Sequence, residues 1–198
     1  METISKPKYL EELSKKAQFT SEDLLGYSYQ LLHTYTKEII IPKLRKENLT
    51  ISIIELTTCG LMSDLLTGKS GSSEYFVRSY IPYSNESKID LGLSEQFLNH
   101  KKYGTVSLET AKELARLVKR KSNSDIGIAE TGLLTSEVLS TKRTIKKAGL
   151  VFTAIANKKR VKGKKLKLKS TLPRVLMRHN IVFEVMKYLG EFLDSLSD

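Results

Sequence analysis

Two hydroxyls and a thiol stand side by side in Thr57-Thr58-Cys59, and side chains of these types are the ones that attack carbonyl carbons. Ahead of them the run Leu49-Thr50-Ile51-Ser52-Ile53-Ile54 is strand-like and ends in Glu55. Behind them Gly60 leads into a helix-like Leu61-Met62-Ser63-Asp64-Leu65-Leu66. A nucleophile at such a strand-to-helix turn faces the free backbone N–H groups of the helix, which can stabilise an oxyanion. Cys59 is the most nucleophilic of the three if the helix start lowers its pKa. Plain structural roles compete with this reading, because either threonine can cap the helix and a cysteine packs well as a small apolar residue. Downstream, Gly71-Ser72-Ser73 and Tyr83-Ser84-Asn85-Glu86-Ser87-Lys88 collect further polar groups. The second cluster also reads as a turn after Pro82, with Ser84 or Asn85 capping a helix and Glu86 in its first turn.

The elements that must position these groups are bounded by size and composition. A chain of 198 residues, 40% hydrophobic and 28% charged, is long enough for one sizeable core. The expectation is one domain over residues 49–198 with an N-terminal helical extension over residues 1–48 packed on it. Apolar runs such as Ile39-Ile40-Ile41 are short, and Met1-Glu2-Thr3-Ile4-Ser5-Lys6 lacks the apolar stretch of a secretory signal, so a soluble, cytoplasmic protein with no membrane contact is expected. Cys59 is the single cysteine, which excludes an internal disulfide. His33, His100 and His179 have no ligand-like spacing, so neither a metal nor a cofactor is expected.

The net charge of +11 points toward nucleic acid, and much of it lies in Lys158-Lys159-Arg160-Val161-Lys162-Gly163-Lys164-Lys165-Leu166-Lys167-Leu168-Lys169. Gly149 to Ala156 reads as a buried strand, and Lys165 to Lys169 alternates lysine with leucine, which puts Leu166 and Leu168 on one face. The two form a hairpin with a basic tip. Lysines on an exposed edge strand discourage edge-to-edge association, and no aromatic residue interrupts the run to stack on bases, so a solvated hairpin is favoured over a nucleic-acid patch.

Strand and helix signals alternate along the rest of the chain. Residues 7–18 could form a short helix or stay loose. Ser21-Glu22-Asp23-Leu24 starts a helix that should kink or break near Ile41, where Pro42 interrupts the pattern. Strands follow at residues 50–55, 75–80 and 124–129, with a helix at 61–67, short helical turns at 88–90, 93–96 and 97–100, and an amphipathic helix at 107–120. Residues 136–147 read as a loop, and a final helix at 176–193 carries Ile181, Val182, Val185, Met186 and Leu189 on one face. Strands separated by helices predict an α/β fold, a layered domain on a mixed sheet.

These pieces together resemble the C-terminal domain of the competence/damage-inducible protein CinA, the nicotinamide-nucleotide amidohydrolase family, over roughly Leu49 to Leu193. The family's Ala-Glu-Ser-Cys-Thr-Gly-Gly aligns with Ile54-Glu55-Leu56-Thr57-Thr58-Cys59-Gly60. Its Gly-Ser-Ser aligns with Gly71-Ser72-Ser73, and its Tyr-Ser-Asn-Glu-Ala-Lys with Tyr83-Ser84-Asn85-Glu86-Ser87-Lys88. Gly104-Thr105-Val106-Ser107, Thr131-Gly132-Leu133 and Gly149-Leu150-Val151 match further family pieces in the same order. The resemblance implies a three-layer α/β/α sandwich that hydrolyses the amide of nicotinamide mononucleotide without a metal. It implies a serine nucleophile with Lys88 as its base and Tyr83 nearby. Glu55, Gly71, Ser72, Ser73, Arg78, Asn85, Glu86, Thr131 and Gly132 fall at positions that would surround substrate, and Arg78, Arg174 and Arg178 at positions that could hold a phosphate.

Leu56 occupies the serine position and offers no nucleophilic atom. The family's Gly-Gly has become Cys59-Gly60, and its Gly-Ile-Ala-Gly-Pro loop has become Gly132-Leu133-Leu134-Thr135-Ser136. Thr57, Thr58 and Cys59 are each off register, since one residue's shift reverses a side chain on a strand and turns it by about 100° on a helix. Three expectations follow. The chain is an amidohydrolase with a relocated nucleophile or a water activated by Lys88, or an inactive relative that binds a small nucleotide or serves as a regulatory subunit, or, less favoured, a nucleic-acid binder through its basic hairpin. A homo-oligomer would be unsurprising.

Overall fold

The computed structural model describes residues 21–135, 137–139, 144–146, 148–168 and 172–197. The stretch at 7–18 lies outside them. Helix α1 (Ser21–Tyr35) passes into a π-helical turn, Thr36–Ile40, and then into α2 (Ile41–Lys46). The expected break at Ile41 thus takes the form of a change in helical winding. Ile41 N–H donates to the Thr36 carbonyl, five residues back, and Pro42, which has no N–H to donate to the preceding turn, follows at once in α2.

The strands are β1 (Ile51–Glu55), β2 (Phe76–Tyr80), β3 (Ile126–Leu133), β4 (Glu137–Leu139), β5 (Thr144–Lys146), β6 (Leu150–Ala156) and β7 (Val161–Lys167). Five of them form one mixed sheet in the order β2-β1-β3-β6-β7, parallel across β2, β1 and β3 and antiparallel from β3 through β7. Alternation along β1 sends Ile51 and Ile53 to one face and Ile54 to the other. The first face packs against α1, α2, α3 (Leu61–Thr67) and α6 (Arg174–Ser197), the second against α5 (Leu108–Ser122). This is a three-layer α/β/α sandwich, with an N-terminal helix whose Leu32 joins Ile40, Ile41 and Leu44 in the same core as α6. No described helix is long and apolar enough to cross a membrane.

Three local readings are corrected. The segment expected as a loop at 136–147 contains β4 and β5, paired antiparallel as a separate small ribbon. β3 continues past Ala129 to Leu133, because Gly132 and Leu133 still pair with Val151 and Leu150 of β6. β7 begins at Val161, four residues before the lysine–leucine alternation, since Gly163 lets the strand lie against α5 where a Cβ would come within 2.7 Å of Leu108 Cδ1. Leu166 is buried and Leu168 packs against the same cluster, as the alternation requires.

Two of the caps read from sequence are in place, whereas neither Thr57 nor Thr58 caps α3, whose N-cap is Gly60 with no side-chain bond, because both hydroxyls are taken by Glu55 and Glu130. Ser107 accepts from Thr110 N–H at the start of α5, and Ser84 accepts from Ser87 N–H at the start of α4 (Asn85–Asp90). α4 thereby anchors the loop that follows β2.

Candidate functional site

β1 and β3 are adjacent parallel strands in register, and each ends in a glutamate, so Glu55 and Glu130 are direct partners at the C-terminal edge of the sheet. Both are fully buried. Their carboxylates divide the next turn between them. Glu55 accepts from Gly60 N–H (2.9 Å), Met62 N–H (3.1 Å), Ser63 N–H (2.9 Å) and the Ser63 hydroxyl (2.5 Å), which fastens the start of α3 to the end of β1. Glu130 accepts from Thr57 N–H (2.6 Å), Thr58 N–H (2.9 Å) and the Thr57 hydroxyl. The Thr58 hydroxyl lies between the two acids, 2.7 Å from Glu55 and 3.0 Å from Glu130. Burial pushes the Glu130 carboxyl above the ordinary range, and the bonds from Thr57 and Thr58 oppose that rise.

The turn held in this way puts Leu56 on the α5 face, 9% exposed in an apolar cluster with Ile54, Leu93 and Leu114. Thr57 and Thr58 are buried with their hydroxyls committed to carboxylates. Cys59 is partly exposed, its Sγ 3.8 Å from the Leu56 carbonyl, and its backbone is left-handed at φ 50°, followed by Gly60 at φ 97°. A glycine adopts that conformation without the Cβ clash that cysteine meets.

The loop after β2 lies against this turn, with Ile81 Cδ1 3.6 Å from where a Cβ on Gly60 would be. Tyr83 is 65% exposed. Lys88 is buried, and its Nζ donates to the Tyr83 carbonyl (3.0 Å) and the Ser84 carbonyl (3.2 Å). Burial holds the Lys88 ammonium below the ordinary lysine value, with Glu86 acting the other way. The first turns of α6 close the other side, where Arg178 donates to the Thr58 carbonyl (2.6 Å) and Arg174 reaches the Tyr83 hydroxyl (3.5 Å). Thr57 to Gly60, Ile81 to Lys88, Arg174 and Arg178 therefore form one patch.

The remaining expected site residues are placed as follows. Asn85 and Glu86 are exposed in the first turn of α4, the Glu86 carboxyl lowered by its own backbone amide and the Ser84 hydroxyl. Thr131 donates to the Thr105 carbonyl (2.7 Å) on the α5 face, and Gly132 lies in β3, where a Cβ would meet Val151 Cγ2 at 2.6 Å. Arg78 is exposed on β2, bonded to the Tyr80 hydroxyl and lying over that ring. Gly71, Ser72 and Ser73 precede β2 and so lie at the N-terminal edge of the sheet, opposite the patch. There Gly71 (φ 81°) turns the chain, and Arg45 donates to the carbonyls of Ser70 and Gly71. A cavity of about 480 Å³ beside α4 is lined by Ile89, Glu95, Gln96, Leu98 and Asn99, none of them an expected site residue. No group of three or more metal-ligating side chains occurs among the described residues.

Sequence reasoning missed Glu130. The signal was present, since Ile126-Gly127-Ile128-Ala129-Glu130 repeats the pattern of Ile51-Ser52-Ile53-Ile54-Glu55, an apolar strand closing on a glutamate.

The sequence profile of the CinA C-terminal domain family matches residues 33–193. The chain belongs to that family. A competence-damage inducible protein of Thermoanaerobacter sp. (strain X514) is 31% identical over 173 residues, covering 86% of this chain and 41% of that protein. The chain spans about two fifths of the length of such curated relatives. Among solved structures, the competence/damage inducible protein CihA of Agrobacterium tumefaciens is 25% identical with a TM-score of 0.70, covering 84% of this chain and 96% of that one. The competence damage-inducible protein A of Klebsiella pneumoniae, 19% identical with a TM-score of 0.73 over 82% of this chain and 97% of that one, shares the CinA fold.

Proposed function

We propose that this CinA domain binds a small nucleotide of the nicotinamide mononucleotide class and does not hydrolyse it. The observation that carries the reading is the turn after β1. Leu56 is packed into an apolar cluster at the position where the family resemblance puts a serine, the hydroxyls of Thr57 and Thr58 are engaged by buried carboxylates, and the thiol of Cys59, the third candidate, turns back to the Leu56 carbonyl (3.8 Å) with no base bonded to it among the described residues. Lys88, at the position the family resemblance gives to the base, has its ammonium bonded to two backbone carbonyls, which leaves it poorly placed to take a proton from an attacking hydroxyl. Arg174, Arg178 and the exposed Tyr83 supply a cationic, aromatic-flanked rim suited to a nucleotide phosphate.

The test is ammonia release from nicotinamide mononucleotide, run with a thermal-shift titration of the same compound. The expected result is no ammonia and a rise in melting temperature that is lost in Arg178→Gln, because a ligand that binds only the folded state stabilises it. Leu56→Ser returns a hydroxyl to the family position, and ammonia release appearing only in that variant would mark the site as disabled by that one residue. Release of ammonia by the unmodified protein would overturn the reading.

One observation favours a rival. The Thr57 hydroxyl donates directly to Glu130, a nucleophile–base arrangement in form. Ammonia release by the unmodified protein that disappears in Thr57→Ala and in Glu130→Gln, with folding retained, would select it.

A further inference from the structure

The basic hairpin is the largest group of charges that the candidate site does not absorb. Among the described residues β7 is an edge strand, bonded to β6 on one side only. Its alternation sends Lys162 and Lys164 to the α6 face of the sheet and Lys165 and Lys167 to the α5 face, while Lys158 and Lys159 stand exposed at the hairpin turn. Lys164 lies over the Tyr188 ring of α6 and Lys165 over the Phe152 ring of β6. Lys112 of α5 adds a cation beside Gly163, its Cε 3.3 Å from where a Cβ would be. Among the described residues, no carboxylate forms an ion pair with any of these seven lysines.

Lysines along an edge strand discourage self-association, which accounts for those on β7 but not for Lys158 and Lys159 at the turn or Lys112 on α5. Like charges at this density repel one another and work against the compact state unless an external anion offsets them. The strand's seven residues extend over about 20 Å, and the two lysines on each face, Lys162 with Lys164 and Lys165 with Lys167, stand about 6.6 Å apart, close enough to meet neighbouring phosphates of one backbone. Lys164 and Lys165 each place an ammonium over a neighbouring ring, Tyr188 and Phe152, so neither ring is a free platform for unstacked bases on that side. An acidic peptide added as a strand would want pockets for alternate side chains, and the outward positions of β7 offer lysines in their place.

We infer that the β6–β7 hairpin, with Lys112 of α5, is a binding surface for the phosphate backbone of a nucleic acid, held without regard to base sequence. The surface is separate from the Leu56 patch and does not depend on nucleotide binding there.

The experiment is fluorescence anisotropy of the full chain with labelled 20-base-pair DNA, the equivalent RNA duplex and a glutamate-rich peptide of equal charge, from 50 to 200 mM salt. Four to six phosphate contacts give a slope of log affinity against log salt of about −4 to −5, a loss of roughly 10² to 10³-fold across that range. Changing Lys162, Lys164, Lys165 and Lys167 together to Gln is expected to weaken binding more than tenfold at 50 mM salt and to flatten the slope by about 3. The same four positions changed to Arg should retain binding, as should Lys37→Gln with Lys46→Gln on the helical layer. Should the fourfold Gln variant fail to fold, the pair Lys158→Gln and Lys159→Gln at the exposed turn takes its place, with an expected loss of about threefold to tenfold. Absence of salt-dependent binding at 50 mM, equal binding by parent and Gln variants, or tighter binding of the peptide than of either duplex overturns the inference. Comparison of the DNA and RNA arms distinguishes the two sources of the same backbone chemistry.

Discussion

The turn after β1 and the β6–β7 hairpin handle charge in opposite ways. At the first, two glutamates are fully buried, and the oxygens of both are met by donors from the turn itself. At the second, lysines stand at a sheet edge with no carboxylate partner among the described residues. A charge that the fold satisfies internally is structural. One that the fold leaves unmatched is available to something outside it. The difference separates residues that set the shape of the candidate site from residues that face a partner.

The strongest way to break this comparison is to remove a buried acid. Glu130→Ala leaves the Thr57 and Thr58 donors without acceptors, each unsatisfied buried group costing about 1–3 kcal/mol, so a loss of about 3–4 kcal/mol in urea unfolding is expected. Glu130→Gln keeps the shape and sharpens the question of protonation. Because burial raises the Glu130 carboxyl, the folded protein keeps that proton to higher pH than the unfolded chain does. Its contribution is complete below the ordinary glutamate value of about 4.3 and is lost as pH rises through the folded value. The penalty of Glu130→Gln, which cannot titrate, should therefore be larger at acid pH and shrink as pH rises, as read from denaturation midpoints across that range.

A smaller effect of opposite sign is expected at Cys59. Its left-handed backbone is strained for a side chain with a Cβ, so Cys59→Gly should stabilise by about 1 kcal/mol, measured by the shift in melting temperature. The smallest effect belongs to the edge. Lys162→Gln alone, exposed and without an ion-pair partner among the described residues, should change stability by less than about 0.5 kcal/mol. A large loss there would mean the hairpin cations serve the fold after all.

Much of this was legible in the chain because periodicity and caps are local. Ser84 and Ser107 announced their helices, Ile51 to Glu55 its strand, and Leu166 with Leu168 the inward face of the edge. The π-helical turn was visible only as a disturbance at Pro42, since winding depends on how Thr36 and Ile40 pack into the core. The β4–β5 ribbon escaped notice because two three-residue strands leave almost no alternation to read. For the candidate site, motif order brought Thr58, Tyr83 and Lys88 to attention but also suggested Gly71, Ser72 and Ser73, which β2 carries to the other edge of the sheet. Glu130 was hidden because its role requires knowing that β3 lies in register beside β1.

That register has a consequence for the order in which the chain acquires its shape. Thr57 and Thr58 are tied to an acid 73 and 72 residues further along, so a nascent chain that has completed β1 and α3 has Glu55 but still lacks the second of the two acids that fix the turn between them. Contacts of such long separation form late, after their loop-closure entropy has been met by other pairings. The part of the molecule that departs most from its family's motif is thus expected to be among the last to settle. Substitutions at Glu130 should then speed unfolding and leave the refolding rate nearly unchanged.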